Sequence, residues 1–280
     1  MMSTHYLGAE LAGTLSDENL FEDASKPKGE VYRELEGRRT LRFLVGQDAY
    51  FLKLHFGVGW KEIFKNLSQL RLPVLGAKNE WLAVNRLREL GIDTMTPVAY
   101  TNQGGNPAKL HSCIITKALE HTQSLEDLSV KNQISVSLRR KLIDKLANVA
   151  KEMHGSGINH RDFYLCHFLI DMDCVTVIEK IMVQNRDKKL TVYLIDLHRA
   201  QIRDQTPARW RVKDLGGLLF SAADTGLTRN DILRFVKLYT GRTLRETFED
   251  GDKFWSAVVR RAHKLYLKEH GRTSHLLSYL

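Results

Sequence analysis

The sequence predicts an α+β protein built of two lobes. Strand patterns dominate residues 29–120, whereas helical patterns dominate residues 121–280. Residues 1–28 are polar and end in Lys-Pro-Lys-Gly, which predicts a loose N-terminal arm. We therefore expect an arm at 1–28, a small lobe with an antiparallel sheet at 29–120, and a mostly helical lobe at 121–280.

The small lobe is predicted to contain five strands and two helices. The turns Glu36-Gly37 and Gly46-Gln47-Asp48 connect its first three strands into an antiparallel meander. Apolar residues at helical spacing predict one helix over Trp60–Leu70 and another over Ala77–Leu90, which Gly91 ends. The predicted strands are Val31–Leu35, Thr40–Val45, Ala49–His55, Pro97–Tyr100 and Ser112–Thr116.

The second lobe is predicted to be mainly helical. Ser124–Asp127 begins a helix, and Leu138–His154 forms a long amphipathic helix that Gly155 ends. Two short apolar strands follow, at Phe168–Ile170 and Thr191–Ile195. Three helices close the chain, near Lys213–Ala223, Arg229–Tyr239 and Asp252–Glu269.

The composition indicates a soluble globular protein. Of the 280 residues, 43% are hydrophobic and 27% are charged, which is ordinary for this class. No apolar run reaches the roughly 18 residues of a membrane-spanning helix, and the acidic N-terminus does not resemble a signal peptide. Three cysteines without a CxxC pair indicate reduced thiols in a cytosolic chain.

The net charge of +9 indicates an anionic partner. Charge alone does not separate nucleic acid, an acidic membrane surface, a phosphorylated substrate and an acidic protein. Basic residues cluster in Arg33–Arg42, in Arg203–Lys213 and in the last helix. The sequence carries no zinc-finger, helix-turn-helix or RNA-binding signature, which argues against a nucleic-acid-binding module.

Two acidic residues lie beside apolar strands in the second half of the chain. Asp162 follows His160-Arg161 in a turn, and Asp196 ends the strand Val-Tyr-Leu-Ile. Phosphoryl transfer from ATP needs one carboxylate that orients and deprotonates a hydroxyl and another that holds magnesium. The sequence therefore predicts a phosphoryl-transfer site in which Asp162 is the catalytic residue and Asp196 is a metal ligand.

A lysine and a glutamate in the first lobe complete this site. Lys53 lies in a predicted strand, where it can hold the α- and β-phosphates of a nucleotide. Glu80 lies in the first turn of a helix and is the best partner to fix that lysine by an ion pair. A solvent-facing lysine and a plain first-turn glutamate are the alternatives.

Four residues near the two carboxylates are expected to support them. His160 and Arg161 brace the loop, and Asp214 hydrogen-bonds the backbone of that loop from a buried helix. His167 is a candidate second metal ligand, although imidazole suits magnesium poorly, so a hydrogen bond to phosphate is the alternative. A zinc site of His154, His160, Cys166, His167 and Cys174 fits no usual ligand spacing.

The first hairpin lacks a glycine-rich phosphate loop. Gly37 is followed by Arg38 and Arg39, so these three residues are expected to cover the phosphates, with cationic side chains in place of glycine amides.

The order of Lys53, Glu80, His160-Arg161-Asp162, His167 and Asp196 is that of protein-kinase-like enzymes, over about residues 30 to 220. Longer segments resemble one branch, the lipopolysaccharide core heptose(I) kinases of Gram-negative bacteria. Those segments are Gly29–Thr40, Leu72–Ala77, Ile158–Asp162, Ile195–Ala200 and Ile232–Phe235.

This resemblance implies a protein-kinase-like fold and an activity. The reaction would be transfer of phosphate from ATP, with Mg2+, to the 4-hydroxyl of the first heptose of the lipopolysaccharide inner core, with Asp162 catalytic. The enzyme would be cytoplasmic and peripherally bound to the anionic surface of the inner membrane. Only residues 197–213 separate Asp196 from Asp214, too few for a peptide-docking segment, which independently favours a small or lipid-linked acceptor.

Two other functions compete with this one. A related sugar kinase would phosphorylate Kdo or the second heptose. A kinase-fold scaffold would bind an acidic partner, such as a small acidic carrier protein, through the basic surface. The joint presence of Lys53, Asp162 and Asp196 argues against a scaffold, which needs none of them.

Overall fold

The computed structural model describes residues 5–35, 37–69, 73–131, 134–175 and 190–279. The chain forms two compact units. The first comprises Met1–Glu89, Met95–Glu120 and Asp196–Arg199, and the second comprises Leu90–Thr94, His121–Ile195 and Ala200–Leu280. The main division of the chain falls between Glu120 and His121, whereas Leu90–Thr94 belong to the second unit and Asp196–Arg199 to the first.

The first unit contains a six-stranded antiparallel sheet in the order β1-β5-β6-β4-β3-β2. The two residues Gly46 and Gln47 turn β3 into β4, with Gly46 at φ +62°, as tight hairpins require. The predicted turn residue Glu36 lies outside the described residues. The strands are β1 (His5–Leu7), β2 (Glu30–Leu35), β3 (Arg38–Val45), β4 (Asp48–Phe56), β5 (Pro97–Gln103) and β6 (His111–Lys117).

Residues 5–24 are not the loose arm that their polar composition predicts. Strand β1 pairs with β5, and helix α1 (Leu20–Ala24) follows. Their apolar side chains join the buried side chains of one sheet face in a single core. The buried members from this segment are Leu11, Leu15, Leu20, Phe21 and Ala24. Burial of apolar area therefore orders a segment that the overall composition marks as polar.

The opposite face of the sheet packs against helix α3 (Lys78–Glu89). Trp81 of this helix stacks on Tyr100 of β5 at 4.9 Å between ring centroids, and Ile114 of β6 is buried in the same cluster. Lys53 is directly opposite Ile114 in the register, so it lies on this face. The alternation of strand side chains therefore directs Lys53 towards α3.

Helix α2 (Gly59–Ser68) buries one residue, Ile63. Trp60, Phe64 and Leu67, which the sequence places on its apolar stripe, are instead exposed. The predicted helix end at Leu70 lies outside the described residues. An apolar stripe that faces solvent requires a partner other than the sheet.

The second unit is mostly helical. Helices lying wholly within its described residues are α4 (Leu125–Lys131), α5 (Val136–Gly155), α6 (Ala208–Ser221), α7 (Arg229–Thr240) and α8 (Leu244–His270). Short strands β7 (Thr122–Ser124), β9 (Phe168–Asp171) and β10 (Val192–Leu194) form one small sheet, and β8 (Ile158–Asn159) pairs with β11 (Gln201–Ile202). Thr228 and Thr243 begin α7 and α8 with capping boxes, which fixes the ends of these helices.

Candidate active site

Four charged or titratable side chains meet in the first unit, and we call them the ion cluster: Lys53, Glu80, Asp196 and His198. Lys53 Nζ donates to Glu80 Oε1 at 2.7 Å and to Asp196 Oδ1 at 2.9 Å. His198 Nδ1 lies 2.9 Å from Asp196 Oδ1, so this nitrogen carries a hydrogen and donates it. The contact between Lys53 and Glu80 is the pair that the sequence predicts.

The ion cluster keeps Lys53 and Asp196 charged. Burial alone would raise the pKa of Asp196, but the hydrogen bond from His198 and the charge of Lys53 hold that pKa well below its ordinary value. Burial likewise opposes the charge of Lys53, and the carboxylates of Glu80 and Asp196 outweigh it and raise the pKa of Lys53. Glu80 is 1% exposed, and its Oε2 has no hydrogen-bond partner among the described residues.

The backbone of Asp196 is in a costly conformation. Its φ angle is +60°, in the left-handed region that non-glycine residues seldom adopt. Such a conformation costs on the order of 1–3 kcal/mol and persists where surrounding contacts enforce it. Hydrogen bonds from Lys53 and His198 hold the side chain of this residue. The sequence analysis identified Asp196 but not His198. No sequence pattern around His198 indicates that its ring contacts the Asp196 carboxylate.

Alternation along β3 separates the two arginines that were expected to cover the phosphates. Arg38 is opposite His55, and Thr40 is opposite Lys53, so Arg38 lies on the Lys53 face. Arg39 is opposite Leu54 and therefore lies on the other face. The expectation that Arg39 acts beside Arg38 is wrong for this reason. Arg33, Arg38, Thr40, Lys53, His55, Asp196 and His198 line a pocket at the ion cluster.

Gly37 shapes the turn before these arginines. Its φ is +75°, and a Cβ at this position would lie 2.4 Å from the carbonyl oxygen of Gly57. Its own carbonyl accepts a hydrogen bond from Phe56 N at 2.9 Å. Only glycine fits this turn, which holds the start of β3 against the end of β4. Arg38 is half-buried, and its Nη2 donates to the carbonyl of Val74 at 2.7 Å.

His55 is a buried imidazole on the same face, and the sequence did not single it out. It is 4% exposed. Burial, reinforced by the positive charges of Arg38 and Lys53, lowers the pKa of His55 to about 3. The imidazole is therefore neutral at physiological pH.

The second unit holds Asp162 in a loop that we call the 160–167 loop. Asp214, fully buried in α6, accepts hydrogen bonds from the backbone N–H of His160 at 2.7 Å and of Arg161 at 2.8 Å. This is the contact expected of Asp214. Its Oδ2 also lies 3.4 Å from His154 Nε2. One carboxylate thus fixes two successive peptide groups just before Asp162.

The hydrogen bonds of His160 define its tautomer. Its Nε2 lies 2.9 Å from the carbonyl oxygen of Ile195, so Nε2 carries the hydrogen. Nδ1 is then the acceptor for the backbone N–H of Asp162 at 3.3 Å. His160 thus ties the Asp162 backbone to the end of β10, which is the bracing that the sequence suggests for it.

His167 contacts the other side of the same residue. Its Nδ1 lies 2.6 Å from the carbonyl oxygen of Asp162, so Nδ1 donates and Nε2 is the acceptor nitrogen of the neutral ring. The ring stacks on His160 at 5.7 Å between centroids. The donor Nδ1–H therefore holds the ring, and only Nε2 has the lone pair that a metal ligand needs.

Arg161 has the second unusual backbone angle at the site, with φ +78°. Its guanidinium lies over the ring of Trp210, 5.3 Å from the centroid. This cation–π contact and the Asp214 hydrogen bond together stabilise the turn that leads to Asp162.

No group of three or more His, Cys, Asp or Glu side chains that could hold a metal occurs among the described residues. The three cysteines, all of which lie among the described residues, form no disulfide bond. Asp196 and His167, the two predicted metal ligands, belong to different units. Asp196 offers carboxylate oxygen atoms, the type of ligand that magnesium prefers.

Comparison with known proteins identifies the family. The model of the lipopolysaccharide kinase (Kdo/WaaP) family matches residues 22–239. The chain belongs to this family. Lipopolysaccharide core heptose(I) kinase WaaP of Pseudomonas aeruginosa is 49% identical over 249 residues, which covers 88% of this chain and 90% of the relative. The same-named enzyme of Escherichia coli K12 is 46% identical, with 84% and 87% covered.

A solved structure in the same family supports the fold. WaaP in complex with acyl carrier protein matches with a TM-score of 0.77 and 40% identity, covering 94% of this chain and 99% of that one. The predicted protein-kinase-like α+β fold is confirmed. As a member of this kinase family, the protein is a phosphotransferase that acts on a sugar hydroxyl, and its reaction depends on a nucleotide. Among the described residues, no helix has the length and apolarity to span a membrane.

Proposed function

We propose that this enzyme transfers the γ-phosphate of ATP to the 4-hydroxyl of the first heptose of the lipopolysaccharide inner core. The observation that carries the proposal is the likeness to curated heptose(I) kinases at 45–49% identity over most of their length. A related kinase acting on Kdo or on the second heptose is the nearest alternative, and acceptor identity separates the two.

The ion cluster supports a role in binding the nucleotide. Lys53 would contact the α- and β-phosphates, with Glu80 fixing its position. Asp196 is ionised and offers hard oxygen atoms, which suit Mg2+. When bound, Mg2+ would neutralise negative charge on the phosphates. Arg38, on the Lys53 face, is the cation that would lie over the phosphates in place of glycine amides.

The 160–167 loop supports the acceptor side of the reaction. Asp162 would accept a hydrogen bond from the heptose hydroxyl and take its proton late in the transfer. His160 and Asp214 fix the backbone of this loop, which would hold Asp162 in position for the acceptor. His167 Nε2 would contact a phosphate oxygen when protonated, or the metal when neutral.

A carrier protein is a further proposed partner. The structural neighbour is described as a complex with acyl carrier protein, and a net charge of +9 suits an acidic partner. An apolar pocket between α5, α6, α7 and α8 has the lining that an acyl chain requires. Its side chains include Leu142, Leu146, Leu218, Phe235 and Trp255.

Helix α2 supports peripheral attachment to the inner membrane. Trp60, Phe64 and Leu67 are 50%, 63% and 47% exposed, and Trp60 stacks on Phe64 at 5.8 Å. Lys61 and Lys65 are exposed beside them. Apolar side chains flanked by lysines suit the interface of an anionic bilayer, where each cation contributes about 1 kcal/mol.

The test of the function is incubation of truncated core lipopolysaccharide with ATP and Mg2+, followed by mass analysis and by NMR of the phosphorylated sugar. We expect a gain of one phosphate on the first heptose, at its 4-hydroxyl. Phosphate on Kdo or on the second heptose would instead establish the related sugar kinase. No transfer to any core sugar, together with tight carrier binding, would support the scaffold.

A further inference from the structure

A polar pocket in the second unit contains no residue of the ion cluster or of the 160–167 loop. Its volume is about 500 Å³, which is enough for one or two sugar rings. We call it the basic pocket. Its lining residues are Lys151, His154, Gly155, Gln205, Thr206, Arg211, Tyr239, Thr240 and Arg242.

The charged side chains that line the basic pocket are all cations. Three of its lining residues, Lys151, Arg211 and Arg242, are cations, and none of the nine is acidic. Lys151 and Arg211 form no salt bridge with any described residue, whereas Arg242 pairs with exposed Asp250 at 2.7 Å. Like charges repel when no carboxylate separates them, so an anion in the pocket would stabilise Lys151 and Arg211.

Arg211 has an unmet hydrogen bond. It is half-buried beside the Tyr239 hydroxyl, and its guanidinium lies 5.2 Å from the Phe254 ring centroid. Its buried Nε has no hydrogen-bond partner among the described residues. Buried donors are nearly always paired, so an unpaired one marks a place where a ligand or water binds.

Lys151 lies close to Gly241, the residue that precedes Arg242 in the chain. Lys151 Nζ lies 3.0 Å from where a Cβ on Gly241 would be, and Gly241 has φ +67° as the C-cap of α7. Glycine at this position therefore leaves room for the Lys151 ammonium beside Arg242. A larger side chain would push that ammonium away.

The basic pocket is connected to the 160–167 loop through two hydrogen bonds. The Tyr239 hydroxyl lies 3.0 Å from His154 Nδ1, and His154 Nε2 faces Asp214, which holds the backbone of His160 and Arg161. A ligand in the pocket is thus one layer of side chains away from the loop that presents Asp162.

We propose that the basic pocket binds an anionic group, phosphate or carboxylate, on an acceptor sugar other than the one that is phosphorylated. Lys151, Arg211 and Arg242 would supply charge, and Gln205, Thr240 and Tyr239 would contact sugar hydroxyls. The proposal rests on the proposed function for its acceptor. It makes these residues determinants of acceptor affinity and gives them no part in nucleotide binding or in the transfer step.

The test uses the double variant Lys151→Gln/Arg242→Gln of the full chain. Both side chains are exposed, so the fold should persist, which an unchanged Tm would verify. The matched control is Arg140→Gln/Lys264→Gln, which removes two exposed charges elsewhere in the second unit. We expect the KM for core lipopolysaccharide to rise at least about tenfold in the first variant alone, since each lost contact is to a charged group. The kcat and the KM for ATP should be unchanged.

Direct binding separates this proposal from the proposed function. Calorimetry at constant ionic strength would compare inorganic phosphate, glucuronate and glucose on the wild type and both variants. We expect an anion site that the control retains and Lys151→Gln/Arg242→Gln loses, with glucose not bound; phosphate or glucuronate, whichever binds more tightly, identifies the anion. Asp250→Asn, which removes the competing partner of Arg242, should tighten binding by about twofold.

Two results have different consequences. If the protein bound the anion but phosphorylated no sugar, the proposed function would be wrong and the pocket would still be an anion-binding site. Phosphorylation with equal anion binding and equal acceptor KM in all three proteins would overturn the basic-pocket proposal and leave the function in place.

Discussion

The ion cluster of the first unit and the 160–167 loop of the second hold their acidic residues by different means. Asp196 is held by side-chain contacts, with Lys53 and His198 at 2.9 Å each. The loop that carries Asp162 is held by backbone hydrogen bonds, from His160 and Arg161 to one buried carboxylate. Each arrangement includes a non-glycine residue with positive φ, Asp196 in one and Arg161 in the other.

This difference indicates how far each region can change its hydrogen-bond partners when a ligand binds. A charged cluster can exchange partners, so Lys53 and Asp196 can turn towards phosphate and cation when a nucleotide binds. Backbone hydrogen bonds to a buried carboxylate cannot be exchanged without unsatisfied donors, so the 160–167 loop stays fixed. We infer that the ion cluster adapts to the nucleotide and that the loop is preorganised for the acceptor.

The largest expected effect is a loss of kcat from a substitution on the acceptor side alone. Asp162→Ala should lower kcat by about 10²–10⁴-fold, the usual contribution of a positioned acid–base group. Steady-state kinetics with core lipopolysaccharide measures it, and Asp173→Ala, at an exposed acid after β9, is the control. A variant that keeps more than about a tenth of the wild-type rate would remove Asp162 from its proposed role.

The next effect concerns stability. Asp214→Ala leaves two buried N–H groups, of His160 and Arg161, without their acceptor, and should lower the free energy of unfolding by roughly 2–5 kcal/mol. Glu80→Ala should cost less, since Lys53 keeps Asp196 as a partner. Urea unfolding of both variants makes the comparison. If Glu80→Ala were the more destabilising change, the contrast between the two regions would be reversed.

A smaller effect tests the role of the ion cluster in nucleotide binding. Glu80→Gln removes the charge that fixes Lys53 and should weaken Mg-ATP binding by about tenfold, the equivalent of one charged contact, while the KM for the acceptor stays the same. The control is Glu89→Gln on the same helix, where the glutamate is exposed and pairs with Arg86. Equal ATP affinity in both variants would mean that Glu80 does not position Lys53 for the nucleotide.

The smallest effect is a pH dependence confined to the first unit. Because the pKa of His55 is about 3 in the folded protein and 6.5 ordinarily, the unfolded chain takes up a proton first as pH falls. Stability from His55 is therefore present above pH 6.5 and declines towards pH 3, by about 1 kcal/mol at pH 5.5. His55→Asn should lose less stability than wild type between pH 7.5 and 5.5 in urea unfolding, whereas the exposed-site variant His270→Asn should behave as wild type.

Much of the site could be predicted from residue order. The contacts of Lys53 with Glu80 and of Asp214 with the 160–167 loop depend on element order, which the strand and helix patterns reveal. The sheet face on which Arg39 lies depends on the register of β3 with β4, which no local sequence pattern reveals. The contact between His198 and Asp196 accompanies a left-handed backbone at Asp196, which the sequence does not reveal either. The N-terminal segment was misjudged because a few irregularly spaced apolar residues, such as Leu11 and Phe21, decide its packing against a mostly polar composition.

The most direct test of the contrast is equilibrium binding of ATP at several Mg2+ concentrations to wild type, Asp162→Ala and Asp196→Asn. The account predicts that Asp162→Ala binds Mg-ATP as wild type does, and that Asp196→Asn binds it more weakly and with a reduced dependence on Mg2+. Asp48→Asn, at an exposed acid of the same unit, should match wild type. An unchanged Mg2+ dependence in Asp196→Asn, or a loss of ATP affinity in Asp162→Ala as large as in Asp196→Asn, would contradict the assignment of the two carboxylates to separate tasks.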